Sequence, residues 1–208
     1  MQGVTFPALS KLADDSQKFD NGYLRIVGML GFLIFPLMLG FIAIAPEMFE
    51  LLLGQKWMPT VPYFEILALS GLFYPLAIVA YNVLKTKSDG RIILRLEVIK
   101  RVIMTAVLVY TIPRGVESVA WGMTTMAAIE FLLNTASAMR YMSIGLIQLI
   151  RAILPSLLLA SSMFAALFTL NPYLKDTHLA LHLTIDIMVA ATIYLLLAWC
   201  FKVRALNE

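Results

Sequence analysis

Apolar residues run through this chain in long blocks, and most of the charge is gathered in the connectors between them. Residues 26–45 and 152–170 carry no charge, while residues 64–84, 118–139 and 179–201 hold one carboxylate each: Glu65, Glu130 and Asp186. At about 1.5 Å of rise per residue, each block can cross a hydrocarbon layer about 30 Å thick as an α-helix. A sixth block is shorter, because only residues 102–113 are free of charge. It reaches bilayer length if its helix extends back to Arg91, with Arg95, Lys100 and Arg101 snorkelling towards the cytoplasm. Residues 1–25 have another rhythm. Leu9, Leu12, Ser16, Phe19 and Tyr23 recur at helical spacing, with Lys11, Asp14, Asp15 and Lys18 on other faces. That pattern predicts a helix lying in the headgroup plane, with a break at Asn21-Gly22 before the first span.

The expected fold is an all-α integral membrane protein of six transmembrane helices plus an N-terminal interfacial helix. Residues 1–25 form the cytoplasmic arm, residues 26–139 a four-helix unit, and residues 140–208 two further helices with a short cytoplasmic tail. Pro36 lies near the middle of the first span, where it frees the Phe32 carbonyl and favours a kink; Pro75 is similarly placed in the second. Gly54 is a C-cap for a helical extension through Leu51-Leu52-Leu53, and Pro155 falls in the tolerated first turn of the fifth span.

Composition narrows the class. With 61% apolar and 14% charged residues and a mean hydropathy of +0.85, this is not a water-soluble domain. A transmembrane β-barrel would alternate apolar and polar residues over about ten positions, and no stretch does so. One cysteine, Cys200, excludes an internal disulfide and a thiolate metal cluster, and the first 25 residues lack the apolar core of a cleavable signal peptide. There is no HExxH, Gly-rich phosphate loop or GxSxG elbow, so no enzyme activity, catalytic residue, metal or cofactor is expected.

Charge sets the orientation. The connector from Lys85 to Arg101 holds six of the sixteen Lys and Arg residues, and such segments stay on the cytoplasmic side. Six spans then place 13 basic residues inside against 3 outside, whereas treating the third block as a surface helix gives 11 against 5. Trp57 and Trp121 fall near the outer boundary and Trp199 near the inner one, and both termini are cytoplasmic.

Phe6-Pro7-Ala8-Leu9-Ser10, Ala45-Pro46, Leu51-Leu52-Leu53-Gly54-Gln55-Lys56-Trp57, Pro62 and Asn82 carry a resemblance. In order and spacing they resemble polysaccharide-transport flippases, of the exopolysaccharide or O-antigen exporter type, in the multidrug/oligosaccharidyl-lipid/polysaccharide exporter superfamily. The clear likeness covers the first hundred residues or so. It implies a chain corresponding to the C-terminal part of a machine with about twelve to fourteen spans in two lobes, in a bacterial inner membrane. The implied cargo is a polyprenyl-diphosphate-linked oligosaccharide, and the implied partners are the lipid bilayer, an N-terminal lobe and glycan-synthesis enzymes, with no nucleic acid. Two alternatives stay open: a cation-coupled exporter of small molecules on the same fold, and a non-transporting membrane subunit or scaffold.

Candidate site residues follow, each with a plainer reading. A carboxylate at mid-span costs on the order of 2.5 to 3.5 kcal/mol on insertion scales, so Glu130 faces a cavity or a partner. Thr124, Ala127, Glu130, Asn134 and Ser137 form a small, polar stripe, either a cavity wall or a packed helix interface. Tyr74, Tyr81 and Asn82 beside Pro75 are candidates for the sugar path, though aromatic stripes also serve simple packing. Lys100, Arg101, Arg140 and Arg151 crowd the inner boundary, where they attract a diphosphate or merely orient the chain. Pro36 and Pro75 are candidate hinges. His178, His182 and Asp186 share one face of the last span; metal binding or a proton relay is one reading, and the favoured one is an interfacial stripe at the edge of the bundle.

Overall fold

The computed structural model describes residues 15–174 and 177–200; residues 1–14, 175–176 and 201–208, and the side chain of Cys200, lie outside the described residues. Six long helices account for most of it: α1 (Ser16–Ala43), α3 (Val61–Lys87), α4 (Gly90–Thr111), α5 (Val116–Ala138), α6 (Leu146–Leu174) and α7 (Leu179–Cys200). A shorter helix, α2 (Ala45–Leu53), and 3₁₀ turns at Gln55–Thr60, Ile112–Arg114 and Met139–Tyr141 connect them; among the described residues there is no strand. Five of the long helices are long and apolar enough to cross a membrane. The exception is α4, the block that needed charged residues to reach bilayer length. It is one unbroken helix of 22 residues, but Arg91, Arg95, Glu97, Lys100 and Arg101 fill its first half. The protein is an all-helical, multi-pass membrane protein.

The helices pack in the order α4, α5, α3, α1, α6, α7, with α2 laid across the start of α7. At the centre, Phe19, Tyr23, Val27 and Phe35 of α1 meet Leu76, Val79 and Val83 of α3 and Leu159 and Met163 of α6. Leu33, Val109, Leu132, Phe168 and Trp199 point outwards, which suits an acyl-chain environment rather than water.

Three local expectations change. The chain does not break at Asn21-Gly22, because α1 runs continuously from Ser16. One glycine in a helix costs about 1 kcal/mol, and the burial of Phe19 and Tyr23 on either side outweighs it. From Ser16 onwards the arm is therefore the first turns of the span, not a separate interfacial helix; its residues 1–14 lie outside the described residues. Asp15 is the N-cap, accepting from the Gln17 and Lys18 backbone N–H groups at 3.1 Å each. Those bonds, led by the one from Lys18, hold its carboxyl below the ordinary carboxylate range. The cap therefore acts at neutral pH and is lost as pH falls through that lowered value.

The second change is at Pro155, which lies about two and a half turns into α6 because that helix begins at Leu146 rather than Ala152. The third is at Lys100, which does not snorkel. It is 5% exposed and turned into the bundle. Gly54 does end α2, at φ 86°, with its N–H donating to the Phe49 and Glu50 carbonyls.

Pro36 has a partner that residue order alone does not reveal. The Phe32 carbonyl it frees accepts a 2.7 Å hydrogen bond from the Tyr194 hydroxyl of α7, and the two rings lie 5.2 Å apart. In a lipid environment an unpaired carbonyl is costly, so α7 completes what α1 lacks. Tyr194→Phe keeps the ring and removes the donor. It should lower stability by about 1 kcal/mol, read as an earlier midpoint in a detergent-denaturation titration.

Candidate functional site

Three helices build a cleft towards the end of the bundle where α3 finishes and α4 begins. On α3, Tyr74, Tyr81 and Lys85 recur at helical spacing and share a face. On α5, Glu130 and Asn134 stand one turn apart, and on α4, Glu97, Lys100 and Arg101 do the same. All eight side chains line one recess of about 360 Å³.

Its electrostatics centre on Tyr81. The Lys85 ammonium lies 4.8 Å from the ring centroid and the Lys100 ammonium 4.9 Å, so two cations hold one aromatic ring. Lys100 Nζ also donates to Glu97 Oε1, while Glu97 Oε2 lies 3.9 Å from the Arg101 guanidinium. A lysine this deep in an apolar bundle stays charged at a tolerable cost only with a carboxylate in contact. Glu97 supplies that contact from one turn away on the same helix. Arg101 is 79% exposed at its side chain and reaches past the rim. Three cations therefore face two carboxylates, Glu97 and Glu130, in a half-open recess.

Asn134 anchors the far wall. Its Nδ2 donates to the Ala77 carbonyl at 3.2 Å, while its Oδ1 has no hydrogen-bond partner among the described residues. The cleft thus offers two tyrosines, the Glu130 carboxylate and a row of cations. That chemistry suits a ligand with hydroxyl groups at one end and an anionic group at the other.

The structure brings together Tyr74, Tyr81, Glu130, Asn134, Lys100 and Arg101 from the sequence-based candidates, and leaves the others elsewhere. Thr124 lies in the α3–α5 interface, donating to the Ile66 carbonyl at 2.7 Å, so the upper part of the polar stripe is helix packing. Asn82 is fully buried and does not line the cleft. Arg140 and Arg151 are exposed at the same end of the bundle but do not line the recess.

Glu97 and Lys85 were the residues that sequence reasoning passed over. A signal for Glu97 was present, since its i+3 and i+4 partners Lys100 and Arg101 place one carboxylate against two cations on a single helix face. Lys85 read as orientation charge because nothing local showed that Tyr81, one turn earlier, would share its face with α4. The last span also differs from its expected role. His178 is exposed, but His182 and Asp186 are buried against α2 and α6, not spread along an outer edge.

Residues 1–62 match the sequence family described as "Polysaccharide biosynthesis protein". Among curated proteins, an uncharacterized membrane protein in the cps region of Klebsiella pneumoniae is 30% identical over 132 residues, 63% of this chain and 27% of that protein. The lipopolysaccharide biosynthesis protein WzxC of Escherichia coli (strain K12) is 30% identical over 69 residues, 33% of this chain and 14% of its own length. The teichuronic acid biosynthesis protein TuaB of Bacillus subtilis (strain 168) is 29% identical over 69 residues, again 33% and 14%. No solved structure matches the chain. The matched region spans about a quarter or less of the length of these relatives. Over that part, this membrane protein resembles polysaccharide flippase-type proteins, as Gly54-Gln55-Lys56-Trp57 and its apolar lead-in indicated.

Proposed function

We propose that this chain is part of a transporter that carries a lipid-linked oligosaccharide, with a polyprenyl diphosphate anchor, across a bacterial inner membrane for surface polysaccharide synthesis. The observation that carries this reading is the cleft, where Tyr74, Tyr81 and Asn134 stand beside Lys85, Lys100 and Arg101. Sugar rings stack on tyrosine faces and their hydroxyls donate to the Glu130 carboxylate, while the cations face the diphosphate. With both termini cytoplasmic, the recess opens towards the inner leaflet, where such a lipid is assembled. An N-terminal lobe would close the other side of the path, and glycan-synthesis enzymes would supply and consume the cargo.

No bond changes in such a step. The protein lowers the barrier to moving a polar head through hydrocarbon by replacing water with fixed donors, acceptors and charges. Alternating access needs a bend, and the two mid-span prolines differ in freedom to supply it. Bending at Pro36 must carry α7 along or break the Tyr194 bond, so Pro75, one residue from Tyr74, is the hinge of this reading. A small cationic cargo fits less well, because cations outnumber carboxylates in the recess.

Accessibility tests the site. In a Cys200→Ser background, cysteine at Glu130 should react with a small water-soluble maleimide, and cysteine at the outward-facing Leu132 should react at least tenfold more slowly. Adding the lipid-linked oligosaccharide should protect position 130. Equal labelling at both positions, or no protection by the lipid, would count against the cleft as the cargo path.

A further inference from the structure

At the opposite end of the bundle, α2 and the first turns of α7 enclose a second recess of about 300 Å³, lined in part by Glu47, Glu50 and His182. Below it lies a buried polar cluster drawn from three helices. His182 is 5% exposed and Asp186, one turn further along α7, is 1% exposed. The imidazole stands between acceptors. Its Nε2 is 2.8 Å from Asn171 Oδ1 of α6 and 3.4 Å from Asp186 Oδ2, and its Nδ1 is 4.0 Å from Glu47 Oε1 of α2. Neither oxygen of Asp186, nor Glu47 Oε2, has a hydrogen-bond partner among the described residues.

A neutral imidazole has one N–H and can serve one side of this arrangement only. With the ring neutral, the buried Asp186 and the partly buried Glu47 lack a counter-charge. One added proton makes both ring nitrogens donors, one towards Glu47 and the other towards Asn171 and Asp186. Among the described residues, the parts of α1, α2 and α6 packed there carry no other cation. α1 carries no charged residue from Ile26 to Ala43, α2 contributes Glu47 and Glu50, α6 contributes the uncharged Asn171, and His178 is exposed one turn before His182. Among the described residues no group of three His, Cys, Asp or Glu side chains could hold a metal ion, so the ligand this geometry suits is a proton.

We propose that Glu47, Asn171, His182 and Asp186 form a proton-binding site that latches the start of α7 to α2 and α6 when His182 is an imidazolium, and loosens that junction when the ring is neutral. The site stands on residues separate from the cargo cleft, so it holds whatever the cargo is. Amide hydrogen exchange of the full chain in lipid nanodiscs tests it, with rates corrected for the intrinsic effect of pH. Between pH 8 and pH 5.5, peptides covering residues 45–53 and 179–186 should slow about tenfold in the wild type. His182→Gln should abolish that difference, and Asp186→Asn, which keeps the shape, should reduce it. His178→Gln should leave it intact. Equal exchange at the two pH values in the wild type, or a pH response that survives His182→Gln, would overturn the latch.

Discussion

Lys100→Met is expected to lower transport of a diphosphate-linked oligosaccharide into proteoliposomes by at least tenfold, the largest functional effect of any single change in the cleft. Lys100 is the most deeply buried cation there, and it contacts both Glu97 and the Tyr81 ring. Methionine matches its length and flexibility but leaves Glu97 with only the more distant Arg101, 3.9 Å away. The recess then changes from net positive to balanced, and its anion-facing wall loses its best-fixed charge. Glu97, 32% exposed at its side chain, is then half-desolvated without its nearest partner, so some of the loss will appear as reduced yield. The double variant Lys100→Met with Glu97→Gln separates the two effects. It removes the orphaned carboxylate, so yield should recover while transport stays low. Recovery of both would assign Lys100 to structure alone, and unchanged transport in the single variant would remove the cleft's cations from the cargo path.

Gly122→Leu should have the largest effect on stability. Gly122 of α5 faces α4 so closely that even a Cβ would sit 2.9 Å from Val107 Cγ1 and 3.0 Å from Thr111 Cγ2. Val107 has one favoured rotamer in a helix, and Thr111 is held by the 2.8 Å hydrogen bond its hydroxyl donates to the Val107 carbonyl, so neither swings aside freely. A leucine there must push α4 away from α5, at a cost of about 1 to 3 kcal/mol. Because Glu97, Lys100 and Arg101 ride on α4, the cleft should loosen as well. Thermal unfolding monitored by tryptophan fluorescence reads the first effect, and faster maleimide labelling of cysteine at Glu130 reads the second. Gly71→Ala is the contrasting case. Its added methyl meets only the flexible side chain of Met38, which can move, so that variant should remain near wild type.

Hydropathy and charge were enough to find the membrane class, the helical blocks and the C-cap at Gly54, because each depends on a stretch of chain and its solvent. A run of apolar residues must hide its own backbone polar groups in lipid, and a helix does so without help from elsewhere. The same reasoning picked out Tyr74, Tyr81, Glu130 and Asn134 as candidates, since a polar residue in hydrocarbon must face something other than lipid, and the four line one recess. It could not say what they would face. Asn134 and Thr124 belong to one stripe and both donate to α3 carbonyls, yet Asn134 borders the cleft and Thr124 does not, a difference set only by the line along which α5 crosses α3.

Partner choice belonged to the tertiary structure throughout. Lys100 was equally able to snorkel or to turn inward, and the arrival of Tyr81 from another helix, beside Glu97 on its own, decided it. The carbonyl freed by Pro36 was legible from residue order, but its donor stands 162 positions away, at Tyr194. His182 and Asp186 looked peripheral on the last helix and became buried once α2 folded back over that helix's start. Solvent preference acts on each segment separately, whereas pairing depends on which segments become neighbours, and no single stretch of residues encodes that.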